Sequence, residues 1–297
     1  MGKRKRKKWV TTSKKSKEKR EQSSQKKHLV PENSESFDAA TELNRDYFIS
    51  LAESRGHFAM LAVSWASLAA SAIPTYVFWD WNLQEGVDPW TSPAFLVTFP
   101  ATVLNASFWL ISLAQKVPPI KRFFYRHQIF AGWIFFLFSL NLIYSLFLLL
   151  AVILNMEINQ LNNAFFLSNL SFFLGVYALF LIINLIWLYR SLNKGFSQDR
   201  TNRNYSSKAP GYKSALFLST FGFVSLGRIL SKHFSFNKTL VELLHWLLSY
   251  AFSQLSIELA YLVYLKSIDE GYWLVEAPDG EDVCRYHLQG QAHSSSH

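Results

Sequence analysis

Apolar residues in this chain gather into long runs rather than alternating with polar ones. Six runs, at about 57–79, 94–115, 129–154, 165–189, 214–231 and 239–265, each approach the roughly 20 residues that a helix needs to cross the hydrocarbon core. The pattern predicts an all-α fold: a polytopic membrane helix bundle with six transmembrane helices over 57–265. The fifth run is the weakest, being short and carrying Gly222, Gly227 and Arg228. Without it the chain crosses five times and its C-terminus changes side.

The flanks of the bundle read differently. Residues 1–35 have almost no large apolar side chain, cannot offset the entropy of ordering, and are expected to be a disordered basic tail. In 36–56, Phe37, Ala40, Tyr47, Phe48, Leu51 and Ala52 recur at helical spacing. That spacing predicts either an amphipathic interfacial helix or a soluble extension of the first run. In the C-terminal tail, 266–297, two strand-like runs flank Pro278-Asp279-Gly280, which predicts a small β-hairpin. An isolated hairpin is marginal in water, so this one should rest on a loop, a lipid surface or a partner.

Charge sharpens the topology. Thirteen of the 30 basic residues, but only two of the 21 acids, lie in residues 1–29. The net charge of +9 therefore belongs to the tail. The connections 116–128 and 190–213 are basic, whereas 80–93 and 155–164 hold no Lys or Arg. By the positive-inside rule both termini are then cytoplasmic. Trp79, Trp81 and Trp90 mark the outer interface, and Tyr125, Trp187, Tyr189 and Tyr212 the inner one. The compact chain and single cysteine, Cys284, suggest a bacterial cytoplasmic membrane and exclude an intramolecular disulfide.

Within the runs, small residues indicate packing faces. Ala59, Ala62, Ala66 and Ala70, with Ser67 and Ser71 beside them, place the first run inside the bundle. Ser168, Ser171, Gly175 and Ala178 form a similar stripe in the fourth. The third and fourth are otherwise Phe and Leu almost all round, as suits lipid-facing helices. Thr98, Thr102, Asn105 and Ser112 fall on one face of the second run. Such a face lines a polar path or hydrogen-bonds to neighbouring helices, and the second reading is favoured because hydroxyls and a single Asn serve equally well as glue.

Ionisable residues at membrane depth are the first candidates for function. These are Arg228, Glu242, His245 and Glu258. Antiparallel fifth and sixth helices joined by a short loop would set Arg228 opposite Glu242, with His245 one turn deeper. The same count sets Glu258 opposite Lys213. Glu242 and His245 share a helix face, but no second Glu-x-x-His lies in a run, and the ligand sets of diiron or zinc sites are absent. No metal, cofactor or catalytic residue is therefore assigned, and Cys284 reads as an ordinary exposed thiol. Signatures of nucleotide-binding loops, serine hydrolases and zinc proteases are missing.

The expected partners are membrane lipids, with anionic headgroups at the basic tail, and other membrane-protein subunits. Nucleic acid is not favoured, because only Trp9 interleaves the tail's charges. A non-enzymatic subunit or assembly partner of a membrane complex leads, followed by a small-solute or ion transporter or channel, then a membrane enzyme.

Overall fold

The computed structural model describes residues 32–157, 162–206, 238–276 and 282–286. These are 88% helical, and four helices in them are long and apolar enough to cross a membrane. The chain begins with α1 (Glu32–Glu53). After a turn and a short 3-10 segment come α2 (Ser64–Gln84), α3 (Pro93–Ala114), the short α4 (Pro118–Arg126), α5 (Gln128–Glu157) and α6 (Asn163–Lys194). Then follow α7 (Gln198–Ser206), α8 (Lys238–Ile268) and the strands β1 (Leu274–Glu276) and β2 (Asp282–Cys284). The strands pair antiparallel with Leu274 opposite Cys284, as the turn signal between them predicts.

Local chemistry sets the boundaries. Pro93 and Pro118 start α3 and α4, where a missing N–H costs no helical hydrogen bond. The side chain of Asn162 caps α6 by accepting from the N–H groups of Ala164 and Phe165. Asn155 exchanges two 3.0 Å hydrogen bonds with the backbone of Asn162, which closes the connection from α5. Gly195 ends α6 at φ +79°, and a side chain there would meet Leu43 and Ala40 of α1 within about 3 Å. Glycine thus serves the left-handed turn and the close approach together.

Two ends of the bundle are distinguished by what closes them. At the hairpin end, α1 buries Tyr47, Phe48, Leu51 and Ala52 against Phe124, Leu188, Phe196, Leu262, Tyr272 and Leu274. The apolar face of α1 is therefore covered by protein, and the Ser54–Gly56 turn separates α1 from the first crossing helix. The hairpin rests on α1: the backbone N–H of Cys284 donates to Glu53 Oε1 at 2.8 Å. Cys284 itself is fully buried, which corrects the expectation of an exposed thiol. At the far end, Phe78, Phe95, Phe147, Phe166 and Val241 form the core. Because Val241 lies there and Leu262 at the hairpin end, α8 runs from far end to hairpin end beside α5 and α6.

The interior differs from expectation in two places. The third crossing helix, α5, is central: its most apolar stretch is 61% buried, against 28% for α6, and it packs against α2, α3, α6 and α8. Phe135, Phe138, Phe147, Leu148, Leu150 and Leu154 fill the space between helices rather than meet lipid, while Phe130 and Leu137 stay exposed. In α2 the buried face carries Ser64, Ser67, Ala70 and Ser71, while Ala62 is exposed. Ser67 and Ser71 thus share the close approach with Ala70, and both find hydrogen-bonding roles inside.

Candidate functional site

Two buried polar clusters hold the helices together, one at mid-bundle and one at the hairpin end. The first centres on Asn105 of α3. Its Oδ1 accepts from Ser67 Oγ of α2 at 2.5 Å and from Asn141 Nδ2 of α5 at 2.8 Å. Its Nδ2 lies 2.9 Å from Ser71 Oγ and 2.7 Å from Ser145 Oγ. Asn105, Ser67, Ser71 and Ser145 are fully buried. One amide thus joins three helices through neutral hydrogen bonds. Thr102 extends the seam by sharing a 2.8 Å hydrogen bond with Thr75 of α2. Thr98 donates within its own helix to Phe95 O, and Ser112 is half-buried. Of the four-residue stripe in α3, therefore, Asn105 and Thr102 bind across helices.

The second cluster centres on Glu258 of α8, which is fully buried. Oε1 accepts from the Tyr47 hydroxyl at 2.6 Å and from Gln254 Nε2 at 2.8 Å. Oε2 accepts from Arg55 at 3.3 Å. Arg55 also donates to Asn204 Oδ1 at 2.9 Å, and Asn204 Nδ2 donates to Ser50 Oγ at 3.0 Å. The cluster therefore links α1, the turn after it, α7 and α8. Phe196 stacks on the Tyr47 ring at 3.8 Å, and Arg200 lies 4.4 Å over Trp187 beside it. Burial, and then the neighbouring Glu258 carboxylate, push the Tyr47 hydroxyl well above its ordinary range. It stays protonated and donates. Both carboxylate oxygens are engaged, so the arrangement suits a structural joint better than a general base, which needs a free lone pair toward substrate.

The remaining candidates lie apart. His245 is fully buried about 20 Å along α8 from Glu258 at 1.5 Å per residue. Its ring stacks on Phe173 at 4.3 Å and meets Phe147 edge-on at 5.2 Å. Nε2 bonds Phe173 O at 3.2 Å, while Nδ1 has no partner among the described residues. Glu242 is half-buried one turn away. Arg228 and Lys213, the expected partners of Glu242 and Glu258, lie outside the described residues. Among the described residues, Glu258 takes Arg55 as its counter-charge. Among the described residues no three His, Cys, Asp or Glu side chains group as metal ligands.

A third polar group, absent from the sequence expectations, sits beneath the hairpin. Lys266 is buried, and its Nζ lies 3.3 Å from Gln128 Oε1. Gln128 Nε2 donates to Leu274 O, and Trp273 Nε1 donates to Lys266 O. Burial lowers the Lys266 ammonium to about 8. Two signals in the sequence pointed to missed residues. Asn141 and Ser145, four apart in an apolar run, are the mates of Asn105, and Arg55 stands at the mouth of the first run. Compared with family models, with curated proteins and with solved structures, the chain matches none.

Proposed function

We propose that the chain is a non-enzymatic subunit or assembly partner of a membrane complex. The observation that carries this reading is the outward face of α6. Ser168, Ser171, Gly175 and Ala178 are all exposed, and a Cβ added at Gly175 would meet nothing within 4 Å. Small residues in lipid give little dispersion energy to acyl chains but let another helix approach closely. The two buried clusters support the same reading, since their polar groups are used up in joining this chain's own helices. The experiment is the size of the protein solubilised from its own membrane in mild detergent. Wild type should elute as a discrete assembly, and Gly175→Leu as a smaller particle of unchanged thermal stability. A single-chain particle that passes a solute through proteoliposomes would favour the transporter reading instead.

We further infer six crossings with both termini cytoplasmic, in a bacterial cytoplasmic membrane. The end of α7 packs at the hairpin end while α8 starts at the far end, which supports a further crossing between them, where the fifth apolar run falls. The basic connections lie at the hairpin end, and the positive-inside rule then sets that end in the cytoplasm, with the basic tail attracted to anionic headgroups. In a Cys284→Ser background, Glu85→Cys should react with an impermeant thiol reagent added outside intact cells. Its protection, with Lys194→Cys reacting instead, would invert the topology.

A further inference from the structure

We propose that a groove at the hairpin end, between α4, the start of α5 and Trp273, binds one anionic phospholipid. The groove encloses about 420 Å³ and includes Arg126, His127, Phe130, Trp133 and Trp273 in its walls. Its floor belongs to α5, a helix apolar and long enough to cross a membrane. Phe130 and Trp133 are 53% and 50% exposed there, so hydrocarbon is their natural cover. Its mouth carries charge. Arg126 ends α4, a nine-residue helix that also carries Lys121 and Arg122 and exposes Ile120 and Phe123, the mixture that settles at a lipid interface.

These cations are not equivalent. Lys121 is engaged by Glu276 at 3.6 Å and by the Tyr125 ring at 5.4 Å. Arg122 and Arg126 have no carboxylate within 4 Å among the described residues. Trp133 lies five residues into α5, about 8 Å along the axis from Gln128. The spacing places a phosphate-binding guanidinium at headgroup height and aromatic rings beside the upper acyl chain. Trp273 forms a fixed wall, since its Nε1 donates to Lys266 O at 2.8 Å and Arg285 lies 5.4 Å over its ring. A free phosphate ion would use the mouth and leave the apolar floor bare. A zwitterionic lipid would use the floor and leave Arg126 without net compensation.

The test is native mass spectrometry of the detergent-purified full chain titrated with phosphatidylglycerol, phosphatidylcholine or inorganic phosphate. Phosphatidylglycerol should give one adduct per chain that outlasts the others on activation. Arg126→Gln should weaken it about fivefold, the worth of one basic residue near an anionic headgroup. Arg190→Gln, an exposed arginine on α6, should leave it unchanged. Because Arg126 is exposed, its variant should fold, and an unchanged melting temperature in lipid-free detergent checks this. Phe130→Gln should weaken the phosphatidylglycerol adduct as well. Equal weakening by Arg190→Gln would mean diffuse surface charge and overturn the site. So would equal retention of phosphatidylcholine, or protection by inorganic phosphate matching that of the lipid.

Discussion

Asn105 and Glu258 are both fully buried, and the clusters around them both join three or more chain segments, but they are built from different chemistry. Asn105 joins α2, α3 and α5 with neutral side chains drawn from the crossing helices themselves. Glu258 joins α8 to α1, its following turn and α7 with a carboxylate, a guanidinium and a phenol. Neutral amides and hydroxyls cost little to bury when paired, and are worth about 0.6–2 kcal/mol per interhelical bond. A buried charge pair gains little over an apolar replacement, yet is expensive to break from one side. Mid-bundle packing should therefore tolerate single losses, whereas attachment of α1 and α7 to α8 should depend sharply on the pair.

The largest effect should come from Arg55→Met, which leaves the Glu258 carboxylate without its counter-charge. About 3–5 kcal/mol of stability should be lost in detergent-induced unfolding. Arg55→Met with Glu258→Leu should recover much of it, and failure to recover would show a role beyond charge balance. Next comes Lys266. Its folded value of about 8 lies below the ordinary 10.4 of an unfolded lysine. The unfolded chain therefore binds the extra proton between those values. The penalty is full below about pH 8 and fades as pH rises toward 10.4, so stability should increase across that window by up to about 3 kcal/mol. Lys266→Met should flatten that rise, and an identical slope in the variant would assign it elsewhere.

Asn105→Leu should cost about 2 kcal/mol, since several neutral bonds are lost but no charge is stranded. A loss as large as that of Arg55→Met would erase the distinction between the clusters. The smallest effect should be Glu53→Gln, which replaces a charged acceptor of the Cys284 N–H by a neutral one. Labelling of the buried Cys284 thiol should speed up about fivefold, as expected for roughly 1 kcal/mol of weaker docking. No change would leave the hairpin held by its apolar contacts.

The two clusters also differ in how readable they were. Asn105 and Thr102 stood out because polar residues at helical spacing in an apolar run have few places to go. The seam partners Asn141 and Ser145 carried the same signal, obscured by the surrounding Phe and Leu. Those bulky residues suggested lipid contact, but a helix surrounded by others also needs them to fill space. Glu258 was conspicuous, whereas its partners were not, since Tyr47 and Arg55 lie some 200 residues earlier. No periodicity relates segments so far apart in sequence. The β-hairpin was legible from its turn, but its seat on α1 was not, because Glu53 reads as a surface acid until the tail folds back.

The central claim is that the polar interior locks this chain together while α6 offers an outward face to another helix. Thiol cross-linking in native membranes tests it most directly, using Gly175→Cys in a Cys284→Ser background, with Ile186→Cys on the same helix for comparison. The account predicts one discrete cross-linked product at position 175, either with a second copy or with a distinct membrane protein, and little at 186. Equal, diffuse products at both positions, or none at 175, would contradict it.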